Sequence, residues 1–138
     1  AKVAHAAGAQ VVINAAPARE LPEGFLDLID VLIVNRVEAE AMSGFAVTNR
    51  DSAHAALQKL ASSSRSVIIT LGGDGLVVAT AAGDVVDIEP ISVRVTSTHG
   101  AGDCFVGALC AQLASGALLI DGCRIANEIA AAFVSRPQ

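Results

Sequence analysis

Two short runs, Val31 to Val34 and Val67 to Leu71, carry almost no polar side chain at any position. Successive side chains of a strand point to opposite faces, so a run that is apolar throughout must be covered on both. A parallel sheet with helices on each side meets that demand; a half-solvated antiparallel sheet does not. A third apolar run, Gln10 to Asn14, precedes them, and helix-like segments lie between and after. This order predicts an α/β fold of three layers, αβα, around a mostly parallel central sheet. Hydrophobic residues make up 53% of the 138 positions, ample for the core of one domain.

The connecting segments follow from stop and start signals. Val3 to Gly8 reads as a helix end stopped by glycine, Asn14 to Pro22 as a loop, and Phe25 to Ile29 as a short helix. Asn35 with Glu38 three residues later is a capping-box pattern for a helix from Asn35 to Ser43, ended by Gly44. Thr48 and Asp51 repeat that pattern before a helix from Asp51 to Ser62, whose polar face (His54, Gln58, Lys59) is read as solvated. Leu76 to Thr80 and Val85 to Ile88 form a hairpin turning at Ala82-Gly83-Asp84. The helix after Asp103 is apolar nearly all round (Phe105, Val106, Leu109, Leu113) and is expected to be buried, ending at Gly116. A last helix begins near Asp121 and is expected to pack Ile125, Ile129 and Phe133 at i, i+4, i+8 spacing.

Composition excludes several classes of function. A net charge of −5 without a Lys/Arg cluster argues against a nucleic-acid surface. No run of 18 apolar residues is present, so no membrane span is expected. Cys104, Cys110 and Cys123 lack paired spacing and are read as reduced, buried thiols of a cytoplasmic protein. His5, His54 and His99 are too scattered for a zinc site. The opening Ala1-Lys2-Val3-Ala4-His5 has neither an initiator Met nor a signal-peptide layout and starts in mid-helix, which predicts a preceding segment.

The chemistry concentrates in Ser97-Thr98-His99-Gly100-Ala101-Gly102-Asp103-Cys104-Phe105-Val106-Gly107. An extended segment, Ile91 to Val95, runs through two glycines into a helix. The first N–H groups of that helix lack intrahelical acceptors and sit at the positive end of its dipole, a ready anion site. Asp103 adds a carboxylate where an anion is expected, which makes sense if it acts on a neutral hydroxyl about to attack a phosphate. Taken alone, the motif is equally compatible with dipole compensation by a first-turn Asp. A dinucleotide fingerprint fits poorly, because the third glycine falls late, at Gly107; a nicotinamide-dependent oxidoreductase is therefore the weaker reading. The strand-end Thr70-Leu71-Gly72-Gly73-Asp74-Gly75 has no Lys in a Walker position, so it is not a P-loop.

GAGDCFVGAL resembles the C-terminal signature of the ribokinase (PfkB) family of carbohydrate kinases, Asp-Thr-x-Gly-Ala-Gly-Asp, and AAPARELP, NRVEAEAMSG and VIITLGGDG agree in order and spacing. AAPARELP points to the ribokinase branch; the others belong to the whole family. The likeness covers essentially all 138 residues, which correspond to about the C-terminal half of a family member. It implies a ribokinase-like fold whose sugar-binding part and lid are absent here. It also implies ATP-dependent phosphorylation of a sugar hydroxymethyl group, ribose before fructose, another sugar or a nucleoside. The rival from another class is an incomplete, non-catalytic nucleotide-binding fragment.

The resemblance implies Asp103 as general base, with Gly100, Ala101 and Gly102 forming the anion hole around it. It implies an ATP site lined by Asn35, Thr70, Leu71, Gly72, Gly73, Asp74, Gly75, Gly102, Asp103 and Asn127, with Mg2+ tuned by Glu38 through water. It further implies a K+ site at Ser97, His99, Phe133, Arg136 and Gln138, partly through backbone carbonyls. The family usually has Asp at the position of Ser97 and often Thr at that of His99, which puts potassium activation in doubt. Family dimers often use the lid, so a homodimer of the full-length protein is not readable from these residues.

Overall fold

The computed structural model describes residues 1–17, 19 and 21–135. By Cα proximity they form two compact units, residues 1–72 with 76–87, and residues 73–75 with 88 onward.

The first unit is built on a sheet of strands β1 (Val12–Asn14), β2 (Val31–Asn35), β3 (Ser66–Thr70), β4 (Leu76–Ala79) and β5 (Val85–Ile88), in that order across the sheet. β1, β2 and β3 run parallel, and β4 turns back antiparallel to β3, as a short connection requires. β5 follows a tight turn in which Thr80 and Asp84 exchange backbone and side-chain bonds. The expectation of a mostly parallel, doubly covered sheet holds: residues of both faces of β2, β3 and β4 are shielded, including Leu32, Val34, Ile33, Ile68 and Val78.

Helices α1 (Lys2–Ala6), α2 (Arg36–Ser43) and α3 (Arg50–Leu60) belong to the same unit, with a 3-10 turn at Phe25–Leu28. α2 begins and ends as predicted. Asn35 and Glu38 complete a capping box, and Gly44 closes the helix at φ +79. α3 departs from expectation. Asn49 and Ser52, not Thr48 and Asp51, form its capping box, because the Asn49 side chain reaches the Ser52 N–H while Ser52 Oγ accepts from both Thr48 and Asn49. Its polar face is also not simply solvated, since His54 Nε2 lies 2.6 Å from Asp87 Oδ1.

Arg65 is buried where α3 meets β3. Its Nε and Nη2 donate to Leu60 O at 3.0 and 2.8 Å, and Nη1 to Leu26 O at 2.7 Å. One guanidinium thus closes the end of α3 and ties it to the 3-10 turn. Desolvation lowers its pKa, against which Asp27 acts.

The second unit carries α4 (Ala101–Ala114) and α5 (Leu119–Val134). Ile91 to Val95 joins no strand ladder, and strand pairing ends at Ile88. α4 is not buried all round: Phe105 and Leu109 are enclosed while Gly102, Asp103, Gly107 and Ala111 are exposed. α5 starts at Leu119, and it buries Gly122, Cys123 and Ala126 rather than the predicted Ile125, Ile129 and Phe133, which are 38%, 42% and 37% exposed. Small residues win because they let the helices approach: a Cβ on Gly122 would stand 3.1 Å from Leu109 Cδ1. Cys104 and Cys110 are half-buried instead of buried, and burial pushes the Cys123 thiol up to about 12.

The turn into β4 contains Gly75 at φ +83, where a Cβ would run into the Ile88 carbonyl oxygen and lie 2.9 Å from Pro90 N. Gly73 has nothing within 4 Å and no positive φ.

Three stability measurements check this packing. Arg65→Met removes both side-chain donors to the Leu60 carbonyl and one from the partly buried Leu26 carbonyl, and is expected to lower unfolding free energy by about 2–3 kcal/mol in a urea titration. Gly75→Ala, strained and blocked by backbone, is expected to cost at least about 2 kcal/mol, with Gly73→Ala within about 1 kcal/mol of the parent. For Cys123 the folded thiol holds its proton well above the ordinary thiol value of 9.0, so the unfolded chain loses it first. Stability should therefore fall as pH rises from 9.0 toward about 12, and Cys123→Ala should flatten that alkaline slope.

Candidate functional site

Two groups of residues carry the predicted chemistry, one in each unit. In the first, parallel register sets Asn35 directly beside Thr70 at the carboxyl ends of β2 and β3. That edge is where α/β sheets hold ligands, because the helices that follow turn their N-termini toward it. Asn35 is exposed and its Oδ1 accepts from Glu38 N at 3.0 Å. Glu38 is buried, and its Oε2 accepts from Asn35 N at 2.8 Å. The capping role of this pair is thus what the structure displays. The Thr70 hydroxyl leans on Val34 O at 3.4 Å, Leu71 is buried, and Gly72 and Gly73 are exposed with open space around their Cα atoms.

One residue of this edge escaped the sequence reading. Arg36, the residue after the cap, donates from Nη2 to Leu71 O at 3.1 Å and from Nη1 to Thr48 O at 3.0 Å. Its acceptors lie 35 and 12 positions away, so no local pattern points to it.

In the second unit, Gly100 caps α4 at φ +79, and a Cβ there would stand 3.4 Å from the Phe133 ring. Ala101 N donates to Thr98 O and Cys104 N to Gly100 O. The N–H groups of Gly102 and Asp103 between them have no main-chain acceptor among the described residues. Asp103, the third residue of α4, is exposed, and its carboxylate has no ion pair or hydrogen bond among those residues. The helix mouth therefore presents two donors, positive dipole charge and an uncommitted base.

Residues 96–97 are tied to the end of α5, with Thr96 N and Ser97 N donating to Val134 O at 2.8 and 3.4 Å. This brings Ser97, His99, Gly100 and Phe133 into one neighbourhood, with His99 N donating to Ser97 Oγ at 3.3 Å. Arg136 and Gln138 lie outside the described residues, as do Ala18 and Glu20 of AAPARELP. Asn127 donates from Nδ2 to Glu89 O at 3.0 Å, so its amide braces the segment after β5. Asp74 is exposed and already partnered.

Among the described residues, no three His, Cys, Asp or Glu side chains cluster as a metal site, and no helix is long and apolar enough to cross a membrane. A surface hollow of about 480 Å³, lined by Lys2, Glu23, Phe25 and Leu28 among others, includes none of the predicted site residues.

A family model described as pfkB family carbohydrate kinase matches residues 1–138. The chain is 40% identical over 113 residues to the ribokinase of Staphylococcus aureus (strain COL), a match covering 81% of this chain and 37% of that protein. A crystal structure of ribokinase from Thermotoga maritima superposes with a TM-score of 0.78 at 26% identity, covering 94% of this chain and 44% of its own. A structure of Arabidopsis thaliana ribokinase complexed with ribose and ATP gives a TM-score of 0.88 at 24% identity, covering 99% and 45%, a likeness of fold. The chain spans less than half the length of each of these proteins. With its mixed sheet and flanking helices it has the αβα ribokinase-like fold, and it belongs to the pfkB family of carbohydrate kinases.

Proposed function

We propose that this chain is the ATP-binding and catalytic part of a sugar kinase, one that phosphorylates a hydroxymethyl group, with ribose as the sugar. In this reading it is the C-terminal part of a single ribokinase-like domain, and the residues that enclose the sugar lie elsewhere in that domain. The observation that carries the proposal is the mouth of α4: two first-turn N–H groups without acceptors beside the exposed, unpartnered carboxylate of Asp103. The 40% identity to a ribokinase favours ribose among the sugars.

Asp103 accepts the proton from the sugar hydroxyl as its oxygen attacks the terminal phosphorus; the new O–P bond forms while the bond from that phosphorus to the bridging oxygen breaks. The N–H groups of Gly102 and Asp103 take up charge developing on the phosphoryl oxygens, a donor of this kind being worth about 3 kcal/mol. Gly100 and Ala101 shape the turn that aims them. At the other edge, Asn35, Thr70 and the open backbone of Gly72 and Gly73 offer donors to a polyphosphate, and Leu71 and Gly75 hold that turn in place. Asn127 acts indirectly, by bracing the segment at Glu89.

ATP fits this donor set, since free N–H groups at a helix mouth and open glycines suit an anion. Magnesium fits as an ion carried largely by phosphate oxygens, with the buried Glu38 the carboxylate that would act on it through water. A monovalent cation would sit by Ser97, His99 and Phe133; the gathering of residues 96–97 against the end of α5 supports that neighbourhood.

The test is phosphate transfer from ATP with magnesium and ribose. This chain alone is expected to turn over negligibly, because exclusion of water and orientation of the sugar need the rest of the domain. In the full-length protein, Asp103→Asn should lower kcat by about 10²–10⁴-fold while KM for ATP stays within about threefold of the parent. A variant as active as the parent would refute the assignment of the base.

A further inference from the structure

We propose that Arg36 is a positioning residue for the nucleotide phosphates, acting through the Leu71–Gly72 peptide rather than by touching the nucleotide. The inference rests on the reading of the Thr70–Gly72 edge as part of an ATP site.

Arg36 follows Asn35, whose capping box fixes the first turn of α2. From there its planar fork spans two carbonyls, Leu71 O at 3.1 Å and Thr48 O at 3.0 Å. The Leu71–Gly72 peptide is trans, so the Gly72 N–H points opposite to the Leu71 C=O. Holding the carbonyl therefore aims the amide. Leu71 is buried and cannot swing, whereas Gly72, at φ +63 with nothing within 4 Å of its Cβ position, imposes no steric barrier of its own. Released from the guanidinium, this peptide could rotate and turn a carbonyl toward the phosphates in place of an N–H. That exchange replaces attraction by repulsion. An ammonium is a single point charge and does not reproduce the two-carbonyl span of the fork.

The experiment uses the 15N-labelled chain and its Arg36→Ala and Arg36→Lys variants, each titrated with ATP and separately with adenosine. Both variants should bind ATP at least about tenfold more weakly, keep adenosine affinity within about twofold, and melt cooperatively as the parent does. In the absence of ligand the Gly72 amide resonance should already be displaced in both. Parent-like ATP affinity in Arg36→Lys would mean that charge alone suffices and would overturn the proposal. Parallel loss of ATP and adenosine binding would overturn it too, marking general disruption of the edge. If the parent itself binds neither ligand, the ATP-site reading fails and this inference falls with it; if the parent binds and the variants match it, only this inference falls.

Discussion

The parallel pairing of β2 with β3 is the constraint on which the nucleotide edge depends. Val31 to Asn35 lies against Ser66 to Thr70 residue for residue, and the first four positions of each strand are buried. A slip of one residue would turn each side chain to the other face and move the polar ends apart. Because both faces are apolar, the ends of the runs carry much of the register, and those ends are Asn35 and Thr70. The same pairing that closes the core therefore sets two polar groups side by side where α2 departs.

From that edge outward, each polar group is bound by a local rule before any ligand is considered. Asn35 and Glu38 satisfy each other's backbone donors, which is how a buried carboxylate is accommodated near the strand ends. The glycines of the following turn divide by physical role. Gly75 is required by a backbone that leaves no room for a Cβ, while Gly72 and Gly73 face open space and keep the backbone approachable. A glycine run that looks uniform in sequence thus holds both a fold requirement and a binding surface.

The α4–α5 pair shows why periodicity located the helices and missed the contact between them. The stripe Ile125, Ile129, Phe133 has the right spacing for a buried face, yet the residues of α5 that are buried are Gly122, Cys123 and Ala126, with Gly122 close against Leu109. Large apolar residues promise more transfer energy, but close approach of two helices depends on small ones and on the dispersion contacts that follow. Spacing alone does not rank the positions along the helix by how closely a neighbour approaches them.

The sequence by itself determined the elements whose causes are local: the doubly apolar strands, the Asn35–Glu38 cap and Gly44 stop of α2, the hairpin at Ala82–Asp84, and the glycine-rich entry into α4 with Asp103 in its first turn. Its motifs also named the family, because spacing within a motif survives without knowledge of the fold. Tertiary structure decided what depends on partners distant in the chain: the grip of Arg36 on Leu71 and Thr48, that of Arg65 on Leu26, the pairing of His54 with Asp87, and the face of α5 that is buried. It also chose Asn49 over Thr48 as the cap of α3, two adjacent residues whose side-chain oxygens can both accept from a first-turn N–H. Hydrogen bonds spanning three or four residues follow from backbone geometry alone; those spanning dozens exist only once sheet register and side-chain volumes have brought the two ends together.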